Sequence, residues 1–123
     1  MGFLKRVFGR EQPGASPPAL DLDALMIQQL AQAGADLRLS RETMHYLYVP
    51  TERAARLALQ DLSVDGRKLE IRPAAEGTGW LVLLTQSMIV SPSAMAALRA
   101  EIEAVSGQHR GDYDGWEAAV RSD

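Results

Sequence analysis

The chain has 123 residues, of which 46% are hydrophobic and 24% are charged, with a formal net charge of −3 and no cysteine. These values are typical of one ordinary globular domain, and they exclude a disulfide framework, a thiolate metal site and a cysteine nucleophile. Residues 1–10 carry the basic side chains Lys5, Arg6 and Arg10 but no acid, so the rest of the chain is distinctly acidic. An acidic body is poorly suited to nucleic acid and favours a basic protein partner.

No membrane span or secretory signal is predicted. A span needs about 18 consecutive apolar residues, and no run in this chain approaches that length. The apolar residues of Met1–Arg10 are interrupted by Lys5 and Arg6, and no hydrophobic core or cleavage site of a signal peptide follows. We therefore expect a cytoplasmic protein.

Residues 1–19 are predicted to form a basic arm and a linker ahead of a single domain at residues 20–123. The apolar residues of Met1–Arg10 lie at helical spacing, which is compatible with a short amphipathic helix that makes weak contact with a membrane surface or a partner. The simpler interpretation, which we favour, is a loosely packed arm. The next stretch, Glu11–Ala19, is rich in proline and glycine and is typical of a linker.

Three helices are predicted from apolar periodicity and N-cap signals. The first is Asp21–Ala33, with Asp21 as its cap and Gly34 as its stop. The second runs from the N-cap Thr51 to about Val64, and the third begins at Ser91-Pro92 and ends near Gln108. Their expected buried stripes are Leu22, Leu25, Met26, Leu30 and Ala33; Ala54, Ala55, Ala58 and Leu62; and Met95, Leu98, Ile102 and Val105.

Four strands are predicted, at Glu42–Val49, Arg67–Pro73, Trp80–Met88 and Tyr113–Val120. The second alternates apolar and charged residues, as an edge strand does, whereas the third begins with a continuous apolar run that is typical of a central strand. Gly115 marks a bend or bulge in the last strand. The element order predicts an α+β, ferredoxin-like β-α-β-β-α-β sandwich preceded by an extra N-terminal helix. Its first and third strands are expected at the centre of the sheet, and its second and fourth at the edges.

Both helices of this unit would cover one face of the sheet, so the opposite face needs another explanation. It would present either Tyr46, Tyr48, Leu81 and Leu83 or their alternates Leu47, Val49, Val82 and Leu84. An apolar surface of that size is typical of an interaction patch when nothing covers it. The helix Asp21–Ala33, a second copy of the chain, or a foreign partner are the three candidate covers, and we favour the helix.

No constellation for catalysis or metal binding stands out. His45 alternates with apolar neighbours in a strand, and His109 ends a helix, where a cation is mildly favoured. Asp112-Tyr113-Asp114-Gly115 is similar to the first part of a calcium loop, but the later ligands are missing. We expect no enzyme, no metal and no cofactor. RNA-recognition domains share this element order and stack bases on strand aromatics, but only Tyr46 and Tyr48 fit that pattern, and we expect no direct nucleic-acid contact.

Several segments together resemble the regulator of ribonuclease E activity B (RraB) family. They are the first helix followed by Gly34-Ala35-Asp36, the strand Glu42–Leu47, and the stretch Gly107–Trp116 with its ending Asp112-Tyr113-Asp114-Gly115-Trp116. The resemblance implies a bacterial, non-enzymatic α/β protein that binds ribonuclease E and slows or redirects RNA decay. Tyr113, Asp114, Gly115 and Trp116 match the family's motif, and His45 matches a histidine of its first strand.

We therefore expect a noncatalytic regulator that binds ribonuclease E or a related RNA-decay protein. The partner-binding residues predicted for it are Tyr113, Asp114, Trp116 and Glu117, together with two acids of the last helix, Glu101 and Glu103. For Trp116, an anchor in the core or in an edge strand is the alternative interpretation. A small-molecule-sensing dimeric module and, less favoured, an RNA-binding domain remain alternative functions, and the sequence leaves monomer and homodimer open.

Overall fold

The computed structural model describes residues 3–4 and 22–120, and from residue 22 onward the elements follow the predicted order. They are β1 (Phe3–Leu4), α1 (Leu22–Gln32), β2 (Arg41–Val49), α2 (Glu52–Leu62), β3 (Arg67–Pro73), β4 (Trp80–Met88), α3 (Pro92–Gln108) and β5 (Asp112–Ala119). The predicted α+β fold, an N-terminal helix followed by β-α-β-β-α-β, is confirmed. The proposed cap Asp21 lies outside the described residues, as do positions 5–20 of the arm and linker.

The predicted N-caps of α2 and α3 are both present. The Thr51 hydroxyl accepts a hydrogen bond from the Ala54 amide at 3.1 Å, and the Ser91 hydroxyl accepts one from the Ala94 amide at 3.2 Å. Each bond satisfies one of the amides that a helix N-terminus leaves without a partner. Helix α2 ends at Leu62, slightly before the predicted Val64, because Ser63 already adopts an extended conformation.

The sheet is antiparallel, with the strand order β1-β5-β2-β4-β3. Strands β2 and β4 are central and β3 is an edge strand, as predicted. The expectation that the last strand is also an edge is wrong, because Phe3 and Leu4 pair with Ala119 and Ala118 of β5. The amphipathic-helix interpretation of the arm is wrong at these two residues as well, since they form a strand.

A β-bulge at Gly115 decides which side chains of β5 enter the core. His45 lies opposite Trp116 and Leu47 lies opposite Tyr113, so the bulged strand carries one residue more than its partner. Gly115 has a φ of 94°, a left-handed conformation that glycine adopts at little cost. In a regular strand, Tyr113 and Trp116 would point to opposite faces. The bulge places both in the core beneath the helices.

All three helices of the described residues pack on one face of the sheet. Helix α1 lies against α3 and contributes to the same core as Leu47, Val82 and Leu84. The favoured expectation that the first helix covers the opposite face is therefore wrong. Its buried residues also differ from the predicted stripe, because they are Asp23, Met26, Ile27 and Leu30. The polar contacts that Asp23 makes with α3 and β5 explain this orientation of the helix.

Gly111, between α3 and β5, occupies a site with no room for a side chain. A Cβ atom there would lie 2.6 Å from the Tyr48 carbonyl oxygen and 2.9 Å from Val49 Cγ1. Gly111→Ala is therefore expected to lower the free energy of unfolding by about 1–3 kcal/mol in a urea titration. Gly107→Ala is the matched control, since no atom lies within 4 Å of its Cβ. Equal stabilities of the two variants would contradict the prediction.

Candidate functional site

His45 is the centre of a buried hydrogen-bonded chain beneath the helices. The Thr43 hydroxyl donates to the Gln86 carbonyl at 2.8 Å and lies 2.9 Å from His45 Nε2. Because that hydroxyl proton is already used, Nε2–H must be the donor to Thr43. His45 Nδ1 then accepts from the Tyr113 hydroxyl at 2.9 Å. The chain of bonds is complete with a neutral imidazole, which leaves His45 in a structural role.

Asp23 joins helix α1 to helix α3 and strand β5. Its carboxylate accepts the Trp116 indole N–H at 3.0 Å and two Arg99 N–H groups at 2.7 and 2.9 Å. The Arg99 guanidinium also lies 4.9 Å from the centre of the Tyr113 ring. Burial alone would lower the pKa of Arg99, but the hydrogen bonds and charge of Asp23 outweigh it and raise that pKa. The Arg99 guanidinium therefore stays charged at every ordinary pH.

His45 makes the stability of the protein dependent on pH. Burial lowers the pKa of His45 to about 3, against 6.5 for an ordinary histidine. Its contribution to stability is thus fully present above pH 6.5 and is lost as the pH falls toward 3, because the unfolded state takes up the proton first. Below pH 6.5, the free energy of unfolding is expected to fall by about 1.4 kcal/mol for each unit by which the pH falls.

The window between pH 6.5 and 5 isolates this effect from the carboxylates, which titrate at lower pH. Urea titrations across that window should show the slope in the wild type and lose it in His45→Gln. A wild type whose stability does not change between these two pH values would contradict the burial of a neutral His45.

The structure distributes the six predicted partner-binding residues over three different places. Tyr113 and Trp116 are only 6% and 2% exposed, so their side chains belong to the core. This burial favours the core-anchor interpretation of Trp116. Asp114 and Glu117 are half-buried on β5, on the strand positions that alternate with these aromatics. Their carboxylates face away from the helices, because Tyr113 and Trp116 face toward them.

The two acids of α3 lie in the helix layer, away from Asp114 and Glu117. Glu101 accepts two hydrogen bonds from Arg67, both at 2.7 Å, and these bonds lower its pKa. Glu103 is an exposed residue whose carboxylate lies 3.8 Å from Arg99. The six residues therefore do not form one continuous surface, and their partner-binding role remains a prediction.

The sheet face opposite the helices carries a group of aromatic and acidic side chains. We call the set Tyr46, Tyr48, Asp112, Asp114 and Glu117 the tyrosine–carboxylate face. The strand register places Tyr48 opposite Asp112, and the Tyr46 hydroxyl donates a short hydrogen bond to Glu117. Leu81 and Leu83 of β4 pair with the two tyrosines on the same face, and both leucines are buried. No helix within residues 22–120 lies on this face.

Sequence reasoning left two alternative residue sets for this face, and the structure selects Tyr46, Tyr48, Leu81 and Leu83. The alternates Leu47, Val49, Val82 and Leu84 belong to the core beneath the helices. Asp112 was not predicted as part of the surface. Its position depends on the register between β2 and β5, which the bulge shifts, so the sequence carries no direct signal for it.

One end of the tyrosine–carboxylate face contains a groove. Its volume is about 300 Å³, and it is lined by Tyr48 of β2, Asp114 of β5, and Ala74, Ala75 and Glu76 of the loop between β3 and β4. The Ala74 amide donates to the Gly79 carbonyl at 2.9 Å, which closes the base of that loop. The groove thus combines one aromatic ring with two carboxylates from separate elements.

Within residues 3–4 and 22–120, no three His, Cys, Asp or Glu side chains lie close enough together to hold a metal ion. None of the helices in the same residues has both the length and the apolar character needed to span a bilayer. Two polar features of this part of the chain stand out, a buried structural network and a sheet face rich in tyrosines and carboxylates.

The fold of the described residues defines the class, which is a small α+β sandwich with three helices on one face of an antiparallel sheet. The family model described as "Regulator of ribonuclease activity B" (RraB) matches residues 20–118. The chain belongs to this family, as its resemblance predicted, and the family is one of regulators rather than of catalysts. A search of curated proteins found no match to this chain.

Proposed function

We propose that this protein is a noncatalytic regulator that binds ribonuclease E, or a related protein of RNA decay, and inhibits or modulates RNA cleavage in the cytoplasm. Membership of a family of ribonuclease regulators supports the target class. The observation that carries the mode of action is the tyrosine–carboxylate face, which no helix of residues 22–120 covers. Regulation would result from occupying or remodelling a surface of the partner, with no covalent chemistry.

The composition of this face suits a protein partner. Tyrosine offers a rigid apolar ring with a polar end, and it is enriched in protein interfaces. Tyr46 and Tyr48 are half-buried at the centre of the sheet, with Leu81 and Leu83 beside them. An aromatic centre of this kind can supply most of the binding free energy of an interface.

The charges on the same face favour a basic partner over RNA. Asp112, Asp114 and Glu117 line β5 beside the tyrosines, whereas Lys68 and Arg72 lie on the edge strand β3, which β4 separates from the tyrosines. Carboxylates around the aromatic rings repel phosphates, and an RNA-binding sheet needs basic residues there instead. Complementary charge mainly accelerates association and makes binding sensitive to salt.

The experiment uses the full chain and purified ribonuclease E in two parallel assays. Surface plasmon resonance at low and high salt measures association, and a gel assay measures cleavage of a defined RNA. We expect binding whose association rate falls as salt rises, and slower or redirected cleavage. Tyr46→Ala with Tyr48→Ala should weaken binding, whereas Glu52→Gln on the exposed side of α2 should not.

Absence of binding to ribonuclease E, with no change in cleavage, would contradict the proposed function. Sedimentation of the chain at the same concentrations then tests the sensing-module alternative. A stable dimer whose melting temperature rises with a small molecule would support that alternative in place of the regulator. Equal binding by the double tyrosine variant and the wild type would contradict the role of the tyrosine–carboxylate face in binding. It would not contradict ribonuclease E as the target.

A further inference from the structure

We propose that the groove formed by Tyr48, Glu76 and Asp114 holds an arginine side chain from an extended segment of the protein partner. This inference rests on the proposed function, because it names the chemistry that the tyrosine–carboxylate face would recognise. The groove lies at one end of that face, where β2, β5 and the loop between β3 and β4 converge. It therefore provides a fixed recognition point beside the aromatic centre.

The size of the groove fits one side chain. Sites for drug-sized ligands range from about 300 to 1,000 Å³, and this groove of about 300 Å³ lies at the lower limit. Small residues at Ala74 and Ala75 leave its wall open enough for a flat group to enter. A long, narrow side chain with a planar end matches this space better than a bulky ligand does.

The lining selects a cation. The carboxylates of Glu76 and Asp114 come from the loop and from β5, so a cation entering the groove would meet two negative groups. The Tyr48 side chain lines the groove between these elements, and the π-face of a tyrosine ring attracts a cation. An anion or an apolar side chain would gain neither interaction, and burying it beside two carboxylates would disfavour it.

Arginine fits better than lysine because of the shape of its guanidinium group. That group is planar, so it can stack on a tyrosine ring while its N–H groups bond to carboxylates in the same plane. An ammonium group is a compact, strongly hydrated charge that cannot do both. The groove should therefore distinguish the two cations, which simple charge attraction would not do.

The test uses the full-length chain labelled with ¹⁵N and three acetylated heptapeptides, Gly-Ser-Gly-X-Gly-Ser-Gly, where X is arginine, lysine or citrulline. Titrations are followed by two-dimensional NMR. We expect the arginine peptide to shift the amide signals of Tyr48, Ala75, Glu76 and Asp114. The lysine peptide should bind several-fold more weakly, and the citrulline peptide, which has the shape without the charge, should not bind.

Two variants of matched charge complete the test. Glu76→Gln with Asp114→Asn should weaken arginine-peptide binding by about 10-fold or more, as expected for loss of charge-assisted hydrogen bonds. Glu52→Gln with Asp65→Asn removes the same charge from exposed positions of α2 and the turn that follows it, and should leave binding unchanged. Equal effects of the two double variants, or equal binding of arginine and lysine peptides, would overturn the proposal.

The chain's own basic arm, residues 1–10, is the other source of an arginine side chain for the groove. The variant with Lys5, Arg6 and Arg10 changed to glutamine, measured without peptide, distinguishes the arm from a partner. Unchanged groove signals in this variant support a partner arginine, whereas shifted ones would make the arm the occupant and overturn the proposal. None of these measurements requires ribonuclease E. A groove that prefers arginine could therefore be shown even if ribonuclease E proved to be the wrong partner. Binding to ribonuclease E could likewise be shown even if the groove did not prefer arginine.

Discussion

Replacing Trp116 with alanine is expected to lower the free energy of unfolding by about 3–5 kcal/mol, which is a large part of the stability of a domain of this size. Two effects contribute. The indole ring is 2% exposed and packs in the core beneath the helices, so its removal leaves a cavity. The indole N–H also donates to Asp23 at 3.0 Å, so one hydrogen bond of a buried carboxylate is lost. Urea and thermal unfolding measure the change.

Trp116→Phe separates the two effects. Phenylalanine keeps most of the buried ring but has no N–H, so the expected cost is that of the hydrogen bond, about 1–3 kcal/mol. Leu57→Ala, at a side chain that is 41% exposed on α2, should change stability by no more than about 0.5 kcal/mol. If Trp116→Ala unfolds at the wild-type urea concentration but no longer binds its partner, Trp116 is an interface residue and not a core anchor.

Asp23→Ala should have an effect of similar size, about 3–5 kcal/mol, because it breaks a buried ion pair by removing one partner. The Asp23 side chain is 7% exposed and that of Arg99 is 21% exposed. Without the carboxylate, the guanidinium keeps the Tyr113 ring at 4.9 Å and the Glu103 carboxylate at 3.8 Å, while the Trp116 N–H loses its acceptor. Helix α1 is also expected to separate from α3, which amide hydrogen exchange would detect as faster exchange confined to α1.

The double variant Asp23→Leu with Arg99→Met tests the physical cause. Replacing both charges by apolar side chains leaves no unpaired ion, and such exchanges are often close to neutral. We therefore expect the double variant to be more stable than Asp23→Ala. The exposed pair of Arg56 with Glu52 is the control, since Glu52→Ala should cost less than about 1 kcal/mol. A cost as large at Glu52 as at Asp23 would contradict the importance of burial.

The sequence by itself determined the elements from α1 onward and their order. Apolar periodicity and local capping chemistry predicted α2 and α3 with Thr51 and Ser91 as their caps. These signals succeed because helix boundaries depend on side chains within one turn of the chain. The alternation in β3 and the apolar run in β4 likewise predicted an edge and a central strand, because each pattern reflects how many sides of the strand are buried.

Only the tertiary structure decided where α1 packs and which residues share a surface. Asp23 lies in the first turn of α1, where an acid is ordinarily exposed, yet it is buried because Arg99 and Trp116, 76 and 93 residues away in the chain, supply its partners. The bulge at Gly115 was predicted, but its effect was not: it places Tyr113 and Trp116 together in the core and leaves Asp114 and Glu117 on the opposite face. Both outcomes depend on long-range pairing, which no local pattern of residues encodes.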